Sequence, residues 1–129
     1  MEIKNYSINK NTLLELHIEH DIPLIIIRAY EIRKTLFSTK RKPAAVLKAT
    51  IHDEIVNLGD IESYIKGKKY GSIVLDEFIQ LCKNQKYKKI TGWLSPVDSD
   101  HFNQLRKFYG NKGFTVTIKG QEGSIEKIF

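Results

Sequence analysis

A single cysteine, Cys82, stands in the 129 residues, and the four histidines, His17, His20, His52 and His101, lack the tight spacing of metal ligands. The chain cannot close an internal disulfide or build a cysteine-based metal site, so no structural metal and a reducing compartment are expected. Long apolar runs are also missing. The longest aliphatic stretch, Leu24 to Ile27, is far short of the ~20 residues a membrane-spanning helix needs, and MEIKNYSINK lacks the apolar segment of a signal peptide. A soluble cytoplasmic protein with no membrane partner is the expectation. Internal repeats, low-complexity segments and linkers are absent, and the length suits one domain over residues 1–129.

Acidic residues are outnumbered, 15 against 21 Lys and Arg, for a net charge of +6. Such an excess attracts polyanions, which keeps nucleic acid, a membrane surface and a phosphorylated ligand in play. The basic residues gather around 40–42, 66–69 and 83–89, rather than interleaving with an aromatic platform. A nucleic-acid-binding module, the alternative from another class, therefore ranks below a phosphorylated small molecule.

Four apolar stretches open the chain. In TLLELHIE (12–19) Leu14, Leu16 and Ile18 alternate, the period of a half-buried strand, and LIIIRAYEIRKTLF (24–37) is rich in β-branched and aromatic types. AAVLKATI (44–51) and EIVNLGDIE (54–62), separated by His52 and Asp53, read as a hairpin. The period changes after Gly71, where Val74, Leu75, Phe78, Ile79 and Cys82 share one face of a helix running to about Lys83. KKITGWLS (88–95) is a short strand stopped by Pro96; Asp98 or Ser99 can cap a second helix carrying Phe102, Leu105, Phe108 and Tyr109. GFTVTI and GSIEKIF close the chain as two strands. The class is α+β, or mixed α/β.

Between the fourth strand and the first helix lies YIKGKKYGSIVL (64–75). A helix N-terminus offers unpaired N–H groups and the positive end of a dipole, and glycines let a phosphate approach the backbone. Lys66, Lys68 and Lys69 add charge beside Gly67 and Gly71. The spacing matches neither the P-loop nor the dinucleotide fingerprint, which disfavours ATP and NAD. By itself the segment reads equally as a solvated basic turn.

Together with KFYGNKGF (107–114), this loop resembles the GNAT family of acyl-CoA N-acyltransferases, whose pyrophosphate loop runs Arg or Gln, two variable residues, Gly, any residue, then Gly or Ala, and whose later signature is FYxxxGF. The likeness covers roughly residues 44–119 and sets Gly71 on the last loop glycine, Lys66 on the Arg/Gln position and Lys69 where a glycine is usual. It implies a mostly antiparallel twisted sheet of about seven strands with the fourth and fifth splayed, and two main helices.

The resemblance further implies acetyl-CoA as co-substrate and transfer of its acetyl group to a primary amine, on a small molecule or a protein. The pantetheine arm would lie along Gly59, Ile61 and Ser63, with Ile61 the foremost contact, and the pyrophosphate on Lys66, Gly67, Lys68, Lys69, Tyr70, Gly71 and Ser72. Tyr109 takes the position of the tyrosine that protonates the thiolate. Glu54 is the expected base, with Asp53 and Asp60 as neighbours; on an unbulged strand Glu54 and Asp60 would share a face. The family usually has two helices between its first two strands, whereas here only a turn at Ile22 and Pro23 intervenes. That implies an acceptor site more open than usual, or one completed by a second subunit in a homodimer. An acyl-CoA sensor without turnover is the alternative within the same fold. Cys82, on the apolar face of its helix, reads as a small buried hydrophobe rather than a nucleophile.

Overall fold

A computed structural model describes residues 1–129, apart from the side chains of Val97 and Ser99. Eight strands and two α-helices follow in the order β1 (Glu2–Asn9), β2 (Thr12–Asp21), β3 (Leu24–Lys34), β4 (Thr39–His52), β5 (Ile55–Ser63), α1 (Tyr70–Asn84), β6 (Lys89–Leu94), a 3-10 turn (Pro96–His101), α2 (Phe102–Gly110), β7 (Thr115–Lys119) and β8 (Glu122–Ile128). The strands form one sheet in the order β1-β2-β3-β4-β5-β6-β8-β7. Only the β5–β6 pair is parallel, joined by α1; the other neighbours are antiparallel. Among the described residues no helix is long and apolar enough to cross a membrane.

Alternation decides which face is buried. Leu14, Leu16 and Ile18 stand opposite Glu31, Ala29 and Ile27, and β4 continues the row with Leu47 and Ala49. These residues, with Val56, Leu58 and Ile90, are almost fully buried, and α1 lays Val74, Leu75, Phe78 and Cys82 on them. Each large apolar side chain taken out of water there contributes about 1.5–3 kcal/mol. The other face is more polar: Arg41 stacks over the Tyr30 ring at 4.2 Å and pairs with Glu15 at 3.2 Å.

Strand β1 was not expected from the sequence. None of its residues is fully buried, so its pattern lacks the apolar signal of a core strand. It is an edge strand latched to α1 by polar contacts: the Tyr6 hydroxyl donates to Glu77, and Lys4 Nζ lies 3.2 Å from the same carboxylate. The β3 reading also ran too long, because Thr35–Ser38 form the hairpin tip, closed by Thr35 N–H donating to the Ser38 carbonyl at 2.8 Å.

The β4–β5 turn is Asp53–Glu54 rather than His52–Asp53. Both turn residues are left-handed, at φ 49° and 65°, the geometry that suits a two-residue hairpin to strand twist. Farther along β5, Ala49 faces Leu58 while Lys48 faces Asp60. Gly59 is thus an extra residue, a β-bulge, and puts Leu58 and Asp60 on opposite faces. The second helix begins later than its proposed caps: His101 is at the N-cap and makes no side-chain capping bond, while Asp98 lies within the preceding 3-10 turn. Ser99 as a cap falls outside the described side chains.

Candidate functional site

Parallel pairing of β5 with β6 runs only from Ile55↔Lys89 to Leu58↔Gly92. Beyond it, β5 stays on β4 as far as Ser63↔Ala45 and β6 stays on β8 as far as Leu94↔Gly123. The two strands therefore splay, and the β6-facing backbone of Gly59–Ser63 has no ladder partner. Gly92 sits at the fork for a steric reason: a Cβ there would lie 2.8 Å from Ile125 Cγ1 and 3.3 Å from the Leu58 carbonyl oxygen.

A cleft of about 540 Å³ fills the fork, lined on β5 by Leu58–Glu62, on β6 by Trp93 and Leu94, and across from them by Asp98, His101, Gln104 and Tyr109. A groove of about 810 Å³ adjoins it, running past Ile61 and Ser63 to the loop and the start of α1. Tyr109, Ile61, Gln104 and Leu105 line both. The two differ in charge. The groove holds Lys66, Lys69 and Lys112 and no carboxylate, whereas the cleft holds Asp60, Glu62 and Asp98 and neither Lys nor Arg.

The loop turns strand into helix through two left-handed residues, Gly67 at φ 77° and Lys69 at φ 59°. Lys69 is the N-cap of α1, and the first helical bond, Ile73 N–H to the Lys69 carbonyl, is long at 3.4 Å. The N–H groups of Tyr70, Gly71 and Ser72 precede that bond and have no partner within the helix. No acidic side chain occupies the first turn, so the positive end of the helix dipole faces the groove uncompensated.

Tyr109 is 8% exposed, its ring set edge-to-face against Phe108 and Phe114 at centroid distances of 5.1 and 5.5 Å. Burial first, then the charges of Asp60 and Asp98, push its hydroxyl pKa up to about 12. The hydroxyl makes no hydrogen bond among the described residues, and it stays protonated throughout the neutral range. Gly113, at φ 86°, then turns the chain from α2 towards β7.

Most of the residues expected from sequence come together here. Ile61, Ser63, Lys66, Gly67, Lys69, Gly71 and Ser72 line the groove, Gly59 the cleft, and Tyr109 both. Tyr70 differs in role: its side chain is buried and donates a 2.6 Å hydrogen bond to Glu31, which leaves only its backbone for a ligand. Lys68 lines neither cavity. Glu54 lies in the hairpin turn, exposed and paired with Lys88 at 3.2 Å, at the end of β5 opposite the fork. It lines neither cavity, so the structure does not bring it to Tyr109; Asp60 is the carboxylate of that strand which does line the cleft.

Trp93 and Glu62 were missed as site residues because only the fork brings them beside Tyr109; Gln104, Leu105 and Lys112 are near Tyr109 in sequence but carry no motif that marks them as lining. Cys82 is fully buried, and burial pushes its thiol up to about 12, which makes it inert as a nucleophile. His17 and His20 bond Glu15 and Tyr87 away from the fork, and His52 pairs with Asp53 in the turn. Among the described residues no three His, Cys, Asp or Glu side chains are grouped to hold a metal ion.

No family sequence model and no curated protein sequence matches the chain. Solved structures do. PaiA N-acetyltransferase from Thermoplasma acidophilum, in complex with coenzyme A, superposes with a TM-score of 0.61 at 18% identity, over 83% of this chain and 62% of that one. An acetyltransferase of the GNAT family from Staphylococcus aureus gives 0.59 at 16% identity, over 82% and 68% of the two chains. This chain has the GNAT fold. An acetyltransferase from Bacillus subtilis in complex with CoA gives 0.56 at 12% identity, over 79% of this chain and 77% of that one. The chain thus spans less than two thirds of the Thermoplasma N-acetyltransferase, and between β2 and β3 it has only Ile22 and Pro23. In these terms the splayed fourth and fifth strands of the GNAT sheet are β5 and β6 here, moved up one place by the extra β1.

Proposed function

We propose that this protein is an N-acetyltransferase that moves an acetyl group from acetyl-CoA to a primary amine. The observation that carries the reading is the position of Tyr109, a protonated, unbonded hydroxyl where a cationic groove meets the fork of β5 and β6. The free N–H groups at the start of α1, with Lys66 and Lys69, suit a pyrophosphate. The unpaired β5 backbone suits the amides of a pantetheine arm, and one of its N–H groups can polarise the thioester carbonyl.

The amine enters the fork, and its ammonium form first gives one proton to water. Its nitrogen forms the C–N bond to the carbonyl carbon, the C–S bond breaks, and the nitrogen releases its second proton. Tyr109 donates its hydroxyl proton to the departing thiolate and regains one from solvent. The sum is an acetamide, a thiol and one net proton. With Glu54 placed away from the fork, proton removal falls to water held by the acidic cleft.

A thermal-shift titration with acetyl-CoA, followed by thiol release over a panel of amines, tests this. Ligand at 100 times its dissociation constant stabilises the fold by about 2.7 kcal/mol. Tyr109→Phe is expected to keep that stabilisation and lose roughly 10²-fold or more in kcat. No stabilisation at millimolar acetyl-CoA rejects the proposal, and stabilisation without thiol release on any amine favours an acyl-CoA sensor.

A further inference from the structure

The hairpin of β3 and β4 overhangs the sheet. The last β4–β5 pair is Ala45↔Ser63, and beyond it Thr39–Pro43 pair with β3 alone on that side. The tip is a closed turn in which the Thr35 and Ser38 hydroxyls lie 3.1 Å apart. That turn holds Leu36 and Phe37 at its apex, 94% and 97% exposed, the two most exposed large apolar side chains among the described residues. Burial in the core accounts for neither. Behind them stand Arg33, Lys34, Lys40, Arg41 and Lys42, all exposed, and the sequence has no Asp or Glu between Glu31 and Asp53. Register sets Arg33 directly opposite Lys40, a like-charge pair that costs stability in a sheet by itself. Glu31 offsets Arg33 and Lys42, and Glu15 offsets Arg41, whereas Lys34 and Lys40 have no ion pair among the described residues.

We infer that this hairpin docks the protein on a bilayer containing anionic phospholipid, with Leu36 and Phe37 entering the boundary between headgroups and acyl chains and the five cations meeting the headgroups around them. The inference is independent of the acetyl-transfer reading, since none of these residues lines the cleft or the groove. Alternation along the ribbon puts Arg33, Lys40 and Lys42 on one face and Lys34 and Arg41 on the other. The tip is therefore ringed by positive charge, the arrangement for entering a negative surface end-on. An apolar tip and a polybasic patch are each weak attachments, and together they supply the two signals that a stable one takes. Other partners fit less well. A nucleic acid would engage the cations and leave Leu36 in water, and a folded protein would need a pocket shaped for a convex tip, whereas lipid yields around it. The expectation of no membrane partner rested on the lack of a spanning segment and a signal peptide, neither of which a docked hairpin needs.

The test is co-sedimentation of the full chain with large vesicles of phosphatidylcholine alone, and of phosphatidylcholine with about 30% phosphatidylserine. The expected result is binding to the phosphatidylserine vesicles only, weakening as NaCl rises from about 50 to 500 mM. Lys34→Gln with Lys40→Gln should lower the partition coefficient about 25-fold, near fivefold per cation. Leu36→Ser with Phe37→Ser should lower it about tenfold or more. Both double variants should keep the parent Tm, because these side chains are exposed and the two lysines unpaired. Phe37→Trp should gain fluorescence that brominated phosphatidylcholine in the anionic vesicles quenches, above the parent signal from Trp93. Absence of binding to the anionic vesicles overturns the inference, and so does binding that Leu36→Ser with Phe37→Ser leaves unchanged. Binding of a short DNA duplex that is lost with Lys34 and Lys40 but kept without Leu36 and Phe37, with no vesicle binding, assigns the cations to nucleic acid and overturns it equally.

Discussion

Lys69 does two things at once, and Lys69→Gly separates them. Its backbone holds φ 59° and ψ 27° at the N-cap of α1, a conformation that costs a residue with a Cβ about 1–2 kcal/mol and glycine almost nothing. Glycine also gains freedom in the unfolded chain, worth about 0.4–1 kcal/mol against folding. The net change in stability is therefore between zero and a gain of about 1.6 kcal/mol, or up to roughly 6 °C in Tm for a chain of this size. The side chain meanwhile lines the cationic groove, and loss of one exposed ammonium–phosphate contact costs up to about 1 kcal/mol, near fivefold in Kd. We expect Lys69→Gly to melt at or slightly above the parent temperature and to bind acetyl-CoA three- to fivefold more weakly at low salt, the difference fading in 0.5 M NaCl. Thermal melts and calorimetric titration at two salt concentrations read both effects. Affinity equal to or tighter than the parent would refute the ammonium contact and leave the backbone donors alone; a fall in Tm of several degrees would refute the strain argument.

Other expectations are independent of that one. Gly92→Ala should destabilise the fold by about 1–3 kcal/mol in urea titration and weaken acetyl-CoA binding, since the new methyl must displace Ile125 beside the Leu58 carbonyl at the fork; an unchanged midpoint would contradict the close packing. Tyr70→Phe removes the hydrogen bond to Glu31, a carboxylate 2% exposed with Arg33 and Lys42 at 3.6 and 3.9 Å, and should cost about 1–3 kcal/mol in the same assay. Stability should also fall in alkali. Cys82, raised from 9.0 to about 12, and Tyr70 and Tyr109, each raised from 10.0 to about 12, stay neutral in the folded state while the unfolded chain ionises. Their contribution is intact below pH 9 and is lost progressively towards pH 12. Urea melts from pH 7 to 11 should show a falling midpoint above pH 9, and Cys82→Ala should delay the onset by about one pH unit.

Legibility in the sequence followed burial. β2, β3 and α1 were readable because a core face forces apolar residues into a fixed period, and α1 proved to run from Tyr70 to Asn84 where the pattern placed Gly71 to Lys83. β1 was invisible because an edge strand held by Tyr6 and Lys4 to Glu77 needs no apolar alternation. The loop and Tyr109 were readable as local motifs, each complete within about ten residues. Glu54 misled because a turn of two left-handed residues looks, by composition, like the start of a strand. The acidic cleft was hidden for another reason: Glu62, Trp93 and Asp98 are distant in sequence, and only the end of the β5–β6 pairing at Leu58 and Gly92 brings them around one space.

The bulge at Gly59 decides which face every later residue of β5 presents. The two halves of that strand are in different geometric frames, with Leu58 and Ile61 both turned to the apolar layer although three positions separate them. Deleting Gly59 would only flatten the bulge: Asp60 would stay opposite Lys48 and Ile61 opposite Leu47, each on its present face, because alternation from Leu58 would then be regular. An exchange of contents between the anionic cleft and the apolar layer would come from keeping Gly59 but pairing it with Lys48, which would swing Ile61 to the polar face and carry Asp60 and Glu62 to the apolar layer.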